Sequence, residues 1–367
     1  MRVAFVLTQD RGGPVDLTVA LALEMASRSD GPEIRIVGPE PVTSAGDARS
    51  LLRPLHVRSK TDLSSAWNLR RALEELDPHI VHAQDRRAGL MATTVARHRV
   101  PVLSTYHGIP VSLIGRRGGP DDSAERWPSP GTVGVLAADA AVTRLATTTV
   151  APSEAMARFL HRRFRVPVGK LRVIPNGVVP PPAHPSTTVA KVFTYVGVFS
   201  PWKAVNLLVE AFAEVARTRP AVELRLVGDG EERPRCERIA ERAGIGERVV
   251  FTGYRSDVPA QLAHADAFIL PSLEENLPLA LLEAMGAGLA CVATRVGGVP
   301  EALGECGLVV PPGDRGSLAA AMTRLADEEG LATRLGSCAA ERARSSFSIT
   351  VCADAHLALW SEAAGRP

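Results

Sequence analysis

Between Val178 and Ala190 the chain reads VVPPPAHPSTTVA, with four prolines in six positions (180, 181, 182 and 185). Proline lacks an amide hydrogen and fixes φ, so neither a helix nor a sheet interior continues through such a stretch. It predicts an extended, semi-rigid connector. The same pattern runs on both sides of it. Before it stand VAFVL (Val3–Leu7), EIRIVG (Glu33–Gly38), HIVHA (His79–Ala83), PVLSTYH (Pro101–His107), TTTVAPS (Thr147–Ser153) and LRVIPNG (Leu171–Gly177). After it come VFTYVG (Val192–Gly197), ELRLVG (Glu223–Gly228), RVVFTG (Arg248–Gly253), AFILPS (Ala267–Ser272), ACVATRVGG (Ala290–Gly298) and GLVVPP (Gly307–Pro312). Short β-branched runs alternating with longer alanine- and leucine-rich stretches are what parallel βα units require. A chain of 367 residues also exceeds the size at which one core keeps growing. The pattern predicts an α/β protein with two doubly wound, Rossmann-like domains facing each other across a cleft. The expected boundaries are 1–178 for the first domain, 179–190 for the linker and 191–348 for the second domain. A terminal helix within 349–367 is expected to pack back on the first.

Composition narrows the function classes. Hydrophobic residues make up 46% and charged residues 22%, with a net charge of +2, so the chain is neither disordered nor strongly basic. Arginines are interleaved with acids, and the run His161–Arg165 reads as a solvated helix end; no nucleic-acid partner is expected. The five cysteines (236, 291, 306, 338, 352) are odd in number and lack C-x-x-C spacing. They are expected to be small buried hydrophobes in a reducing compartment rather than a disulfide framework or zinc site. The N-terminal apolar run is too short for a signal peptide, and no stretch is long enough to span a membrane. These features predict a cytoplasmic protein without integral membrane association, for which a homodimer stays open. Four lysines against 38 arginines, with abundant alanine and glycine, point to a GC-rich bacterial source.

Four strand-end junctions carry candidate chemistry. From Leu277 to Thr294 the only formal charge is Glu283, on an otherwise apolar helix, where a charge needs fixed donors to offset its desolvation. Glu275 precedes it by eight positions, in the loop after AFILPS, and Pro278 suits the first position of the helix. In YVGVFSPWKAVNLLVEAF, Lys203 stands at a helix start, where a compact ammonium suits a diphosphate. In STYHGIP, His107 at a strand end points into the expected cleft, though a lone histidine is as readily a packing residue. Gly12 and Gly13, in TQDRGGPVDL, let backbone approach an anionic ligand at a helix N-terminus, or simply make a tight turn. This is not G-x-G-x-x-G, so a dehydrogenase fingerprint is absent.

Together with VAPSEAM, VIPNGV, LRLVGDG, FILPSLEENLPLALLEAMGAG and TRVGGVPEAL, these stretches resemble the family 4 retaining glycosyltransferases of GT-B architecture. The E-x7-E pattern from Glu275 to Glu283 is the most specific element. The resemblance implies a nucleotide diphosphate sugar as co-substrate, with UDP favoured, and hexose transfer to a hydroxyl with retention. It implies that Glu275 binds the donor sugar's hydroxyls and that Glu283 holds the ribose, as an acceptor-only carboxylate can. Lys203 would neutralise the leaving diphosphate, His107 would contact the transferred sugar, and Gly12 and Gly13 would border the diphosphate. Backbone of Tyr254 and Arg255 would line the base, and amides of Asn276, Leu277 and Leu279 would meet phosphate. No cofactor and no essential metal are implied, and no D-x-D occurs. The family's usual diphosphate-binding arginine is Val198 here, so Arg11 or Arg255 is expected to reach in, or the donor is held more weakly. The glycine- and proline-rich stretch Ser112–Val135, with Arg116, Arg117, Asp121, Asp122 and Glu125, favours a small polar acceptor: a cyclitol, an amino sugar or a natural-product scaffold. The alternatives are a cell-surface polysaccharide or glycolipid acceptor, an epimerase or phosphorylase on the same architecture, and a non-catalytic nucleotide-sugar-binding homologue.

Overall fold

The computed structural model describes residues 1–41, 48–55, 63–108, 130–181 and 188–365. Most of the stretch from Ser112 to Val135, including its five charged residues named above, lies outside the described residues. The chain separates into two compact units, Met1–Gly177 with Ile349–Pro367, and Val178–Ser348.

The first unit holds a parallel sheet of seven strands in the order β3-β2-β1-β4-β5-β6-β7. They are β1 (Arg2–Val6), β2 (Glu33–Gly38), β3 (Leu52–Pro54), β4 (Ile80–Ala83), β5 (Val102–Thr105), β6 (Thr148–Ala151) and β7 (Leu171–Val173). The edge strand β3 has no counterpart among the apolar runs of the sequence. It is three residues long, ends in proline, and exists by pairing Leu52 with Ile36 of β2. The C-terminal helix Ile349–Ala363 belongs to this unit. Its Trp360 is fully buried with its ring 5.5 Å from that of Phe5 on β1, and its Asp354 meets Arg28 at 2.6 Å.

The second unit holds a parallel sheet of six strands in the order β10-β9-β8-β11-β12-β13. These are β8 (Val192–Val196), β9 (Glu223–Val227), β10 (Val249–Gly253), β11 (Ala267–Leu270), β12 (Ala290–Thr294) and β13 (Gly307–Val310). Every residue of β11 and β12 is buried, as expected for strands covered on both faces by helices. The start of the proline-rich stretch packs here. Val178 donates its amide to the Phe347 carbonyl at 2.9 Å, and Pro180 and Pro181 lie against Gly286.

In each sheet the strand order reverses once, between β1 and β4 and between β8 and β11. Loops leaving the C-terminal ends of such a strand pair diverge to opposite faces and open a crevice, the usual ligand position in doubly wound sheets.

The cysteine expectation needs correction. Cys306 and Cys338 form a disulfide, while Cys236, Cys291 and Cys352 are free and buried. An odd count and missing C-x-x-C spacing speak against a framework or a zinc site, not against one pair formed in space. Packing of the helix Leu331–Ser346 along β12 and β13 brings Cys338 to Cys306, and it removes the cysteine-based support for a reducing compartment.

Candidate functional site

At the second unit's switch point, the loop after β8 runs from Gly197 through the short 3-10 turn Pro201–Lys203 into the helix Val205–Thr218. Lys203 therefore sits just ahead of the helix rather than inside it. The next residue, Ala204, adopts a left-handed conformation (φ 50°) that ends the turn and starts the helix. The loop after β11 carries Ser272, Glu274 and Glu275 into the helix Leu279–Gly286. Adjacency of β8 and β11 brings the two loops together. Leu273 donates its amide to the Trp202 carbonyl at 2.7 Å, and Lys203 Nζ lies 2.5 Å from Glu275 Oε1. Ser272 Oγ donates to the same oxygen at 2.8 Å. The side chains of Lys203 and Glu275 are 21% and 8% exposed, so this ion pair is shielded enough to hold both groups in place.

A third loop supports the carboxylate from behind. Gly298 donates its amide to the Asn276 carbonyl at 2.6 Å, and Gly297 (φ 49°) passes so close that a β-carbon there would stand 1.9 Å from the Glu275 carbonyl. Only glycine fits that crossing. Burial, and then the neighbouring charge of Glu275, push the Glu274 carboxyl up to about 7. Glu283 is half-buried on the helix Leu279–Gly286. Pro278 is the residue before that helix, not its first residue, because its ψ of 125° is extended. Leu281 and Leu282 both donate to the Pro278 carbonyl, which leaves the amides of Leu279 and Ala280 without an intrahelical acceptor. Leu277 is buried in the core and Asn276 is 8% exposed.

Other predicted residues stand apart from the Lys203–Glu275 pair. Tyr254 and Arg255 follow β10, the edge strand two places from β8. Tyr254 is 64% exposed, and Arg255 grips Asp257 through two bonds of 2.8 and 2.7 Å. Arg11 is likewise engaged, with Asp10 at 3.1 Å. Neither arginine expected to replace the missing cation is unengaged. Val198 is half-exposed, and its carbonyl accepts the buried Tyr195 hydroxyl at 3.0 Å, which pins the loop.

The first unit's switch point has different furniture. Gly12 (φ 98°) precedes the helix Gly13–Ala26, where its carbonyl accepts the Val15 amide at 2.8 Å. Asp85, after β4, caps the helix Arg86–Ala96 through the Ala88 amide (2.8 Å) and also takes the amide and hydroxyl of Thr8 at 2.6 and 2.8 Å. His107 lies beyond the end of β5, with Nε2 3.0 Å from Gln84 Oε1. Burial, with the neighbouring His356, pushes its imidazole down to about 4, so the ring is neutral at ordinary pH. Ser272, Glu274 and Gln84 are residues that the sequence motifs did not single out. Among the described residues, no three His, Cys, Asp or Glu side chains gather into a metal-binding group.

Two doubly wound units in tandem, each with one reversal of strand order, match the GT-B class of fold. The structure of the Anabaena protein HepE in complex with UDP-glucose superposes with a TM-score of 0.82 at 18% identity, covering 99% of this chain and 100% of that one. The family description "Glycosyltransferase Family 4" matches residues 11–180, and "Glycosyl transferases group 1" matches residues 190–328. The chain belongs to the family 4 glycosyltransferases. Its relatives include N-acetyl-alpha-D-glucosaminyl L-malate synthase of Bacillus anthracis, 36% identical over 158 residues, 42% of this chain and 40% of that protein. Another is the lipopolysaccharide core biosynthesis glycosyltransferase LpsD of Rhizobium meliloti, 34% identical over 205 residues, 53% of this chain and 59% of that protein. The matches thus span about half the length of these curated relatives.

Proposed function

We propose that the protein is a retaining hexosyltransferase that moves a sugar from a nucleotide diphosphate donor, UDP by preference, to a hydroxyl of a small polar acceptor. The observation that carries this reading is the shielded Lys203–Glu275 pair at the second unit's switch point. In this reading Lys203 meets the diphosphate as a point charge and stabilises it as it leaves. Glu275, held by Ser272, turns its remaining lone pairs to sugar hydroxyls. Glu283 takes the ribose diol, and the amide of Leu279 offers a donor to phosphate, as do those of Asn276 and Leu277. Tyr254 and Arg255 border the base. From the first unit, neutral His107 contacts the transferred sugar, and the Gly12–Gly13 turn borders the diphosphate. The departing phosphate takes the acceptor's proton on the face that the new bond forms. No metal has a role in this scheme, because Lys203 supplies the positive charge. HepE's complex with UDP-glucose supports the choice of UDP. The relative whose name joins a glucosaminyl group to L-malate supports a small polar acceptor.

A second reading, transfer in lipopolysaccharide or polysaccharide assembly, is favoured by the similarity to LpsD. Calorimetry with UDP, GDP, ADP and TDP, repeated on Glu283→Ala, tests the donor side. One nucleotide is expected to bind clearly and to weaken in the variant. Binding of none, or indifference to the substitution, would leave a non-catalytic homologue as the better reading. Product analysis with cyclitol, amino-sugar and lipid-linked acceptors then separates the two acceptor classes.

A further inference from the structure

The C-terminal ends of β4 and β5, and the residues just beyond them, carry two polar rungs that the reaction scheme does not use in full. In the first, His82 Nε2 meets Thr105 Oγ1 at 2.8 Å. In the second, Gln84 Oε1 meets His107 Nε2 at 3.0 Å. The partners are 23 residues apart in both, and β4 and β5 are paired in parallel, so the rungs follow one another along the same strand pair. Residues two apart share a face, which places His82 with Gln84 and Thr105 with His107.

The first rung has a defined proton arrangement. Trp360 Nε1 can only donate, and it lies 3.2 Å from His82 Nδ1. The neutral His82 ring therefore carries its hydrogen on Nε2 and donates it to Thr105. His82 is fully buried, and the C-terminal helix clamps it from the far side. This gives the second rung a rigid base. Gln84 is itself 2% exposed, and its backbone N–H donates to the Val6 carbonyl at 3.0 Å.

We propose that Gln84 is the positioning residue for His107, accepting its Nε2–H and so holding the ring neutral, in one tautomer and one orientation. This rests on the transferase reading for its consequence, not for its geometry. A carboxamide fixes a ring without adding charge. The groups facing His107 are consistent with that design. His82 on β4 and His356 on the C-terminal helix are both kept neutral by burial, and the carboxylate next to Gln84, Asp85, spends its oxygens on Thr8 and Ala88. A carboxylate in Gln84's place would instead favour a charged imidazolium.

The test uses the full chain labelled with ¹⁵N-histidine, with Gln84→Glu and Gln84→Met. In the wild type, His107 is expected as the neutral Nε2–H tautomer down to about pH 5. Gln84→Glu should raise its titration by one unit or more and give turnover that climbs with pH where the wild type is flat. Gln84→Met should mix the tautomers and lower kcat about tenfold with KM for the donor unchanged. An Nδ1–H tautomer in the wild type, or a His107 titration unmoved by Gln84→Glu, would overturn the assignment. A changed tautomer with unchanged kcat would overturn its catalytic consequence. If the wild type neither binds nor turns over a nucleotide sugar, the transferase reading fails while the spectra still decide whether Gln84 sets the ring.

Discussion

At the second unit's switch point, a lysine and a carboxylate meet at 2.5 Å with a serine hydroxyl on the same oxygen. At the first unit's, an imidazole meets a carboxamide at 3.0 Å, and the carboxylate beside them is consumed by a helix cap and a threonine. Both crevices come from the same reversal of strand order. The fold therefore supplies two equivalent places, and the proposed function divides the work between them. Charge at one suits a diphosphate that gains negative charge as it departs. Neutral polar groups at the other suit a transferred sugar that carries no charge for a fixed ion to meet.

Removing the charge on one side should break this division most severely. Lys203→Ala is expected to lower turnover by about 10²–10³, the scale of losing one donor to a developing anion. It also leaves Glu275 shielded without its cation, so the melting temperature should fall; steady-state kinetics and calorimetric scans check both. His107→Ala should lower turnover while leaving nucleotide affinity intact. Next in size is a gain. Val198→Arg restores a cation beside the crevice at a half-exposed position, and tighter UDP binding is expected, by about 1.5–3 kcal/mol if a full charged hydrogen bond forms. Isothermal titration reads it directly.

The two regions should also respond to pH in opposite directions. Glu274 is raised to about 7 by burial and Glu275, so its contribution to stability is complete below about 4.5 and is lost as pH rises through about 7. His107 and His356 are pushed down to about 4 from 6.5, so their contribution is complete above 6.5 and is lost as pH falls toward 4. Between pH 4.5 and 6.5, hydrogen exchange corrected for its intrinsic rate should show the first unit gaining protection as pH rises and the loop around Glu274 losing it. Parallel changes in both would contradict the assignment. The smallest effect belongs to Arg255→Ala. The solvent-screened pair with Asp257 contributes little to stability, and nucleotide affinity should not change if only backbone lines the base.

Most strands of both sheets were legible because buried parallel strands are written as short apolar and β-branched runs. β3 was not, since Leu52–Pro54 has no run to read and owes its existence to the neighbouring β2. Lys203 stood out as one of four lysines, at a helix start, and Glu275 as the first acid of the E-x7-E pattern. Their contact did not, because it joins residues 72 apart through the adjacency of β8 and β11, a fact of strand order. Gln84 was hidden for the same reason: an amide at a strand end acquires meaning only once β4 and β5 are paired. The bond between Cys306 and Cys338 likewise depends on how a helix packs, which neither cysteine count nor spacing records.

The division of labour is tested most directly by titrating UDP into the wild type, Lys203→Ala and His107→Ala under one set of conditions. The account predicts clear binding to the wild type, a loss of tenfold or more in Lys203→Ala and no change in His107→Ala. Equal weakening by both substitutions, or weakening by His107→Ala alone, would contradict it.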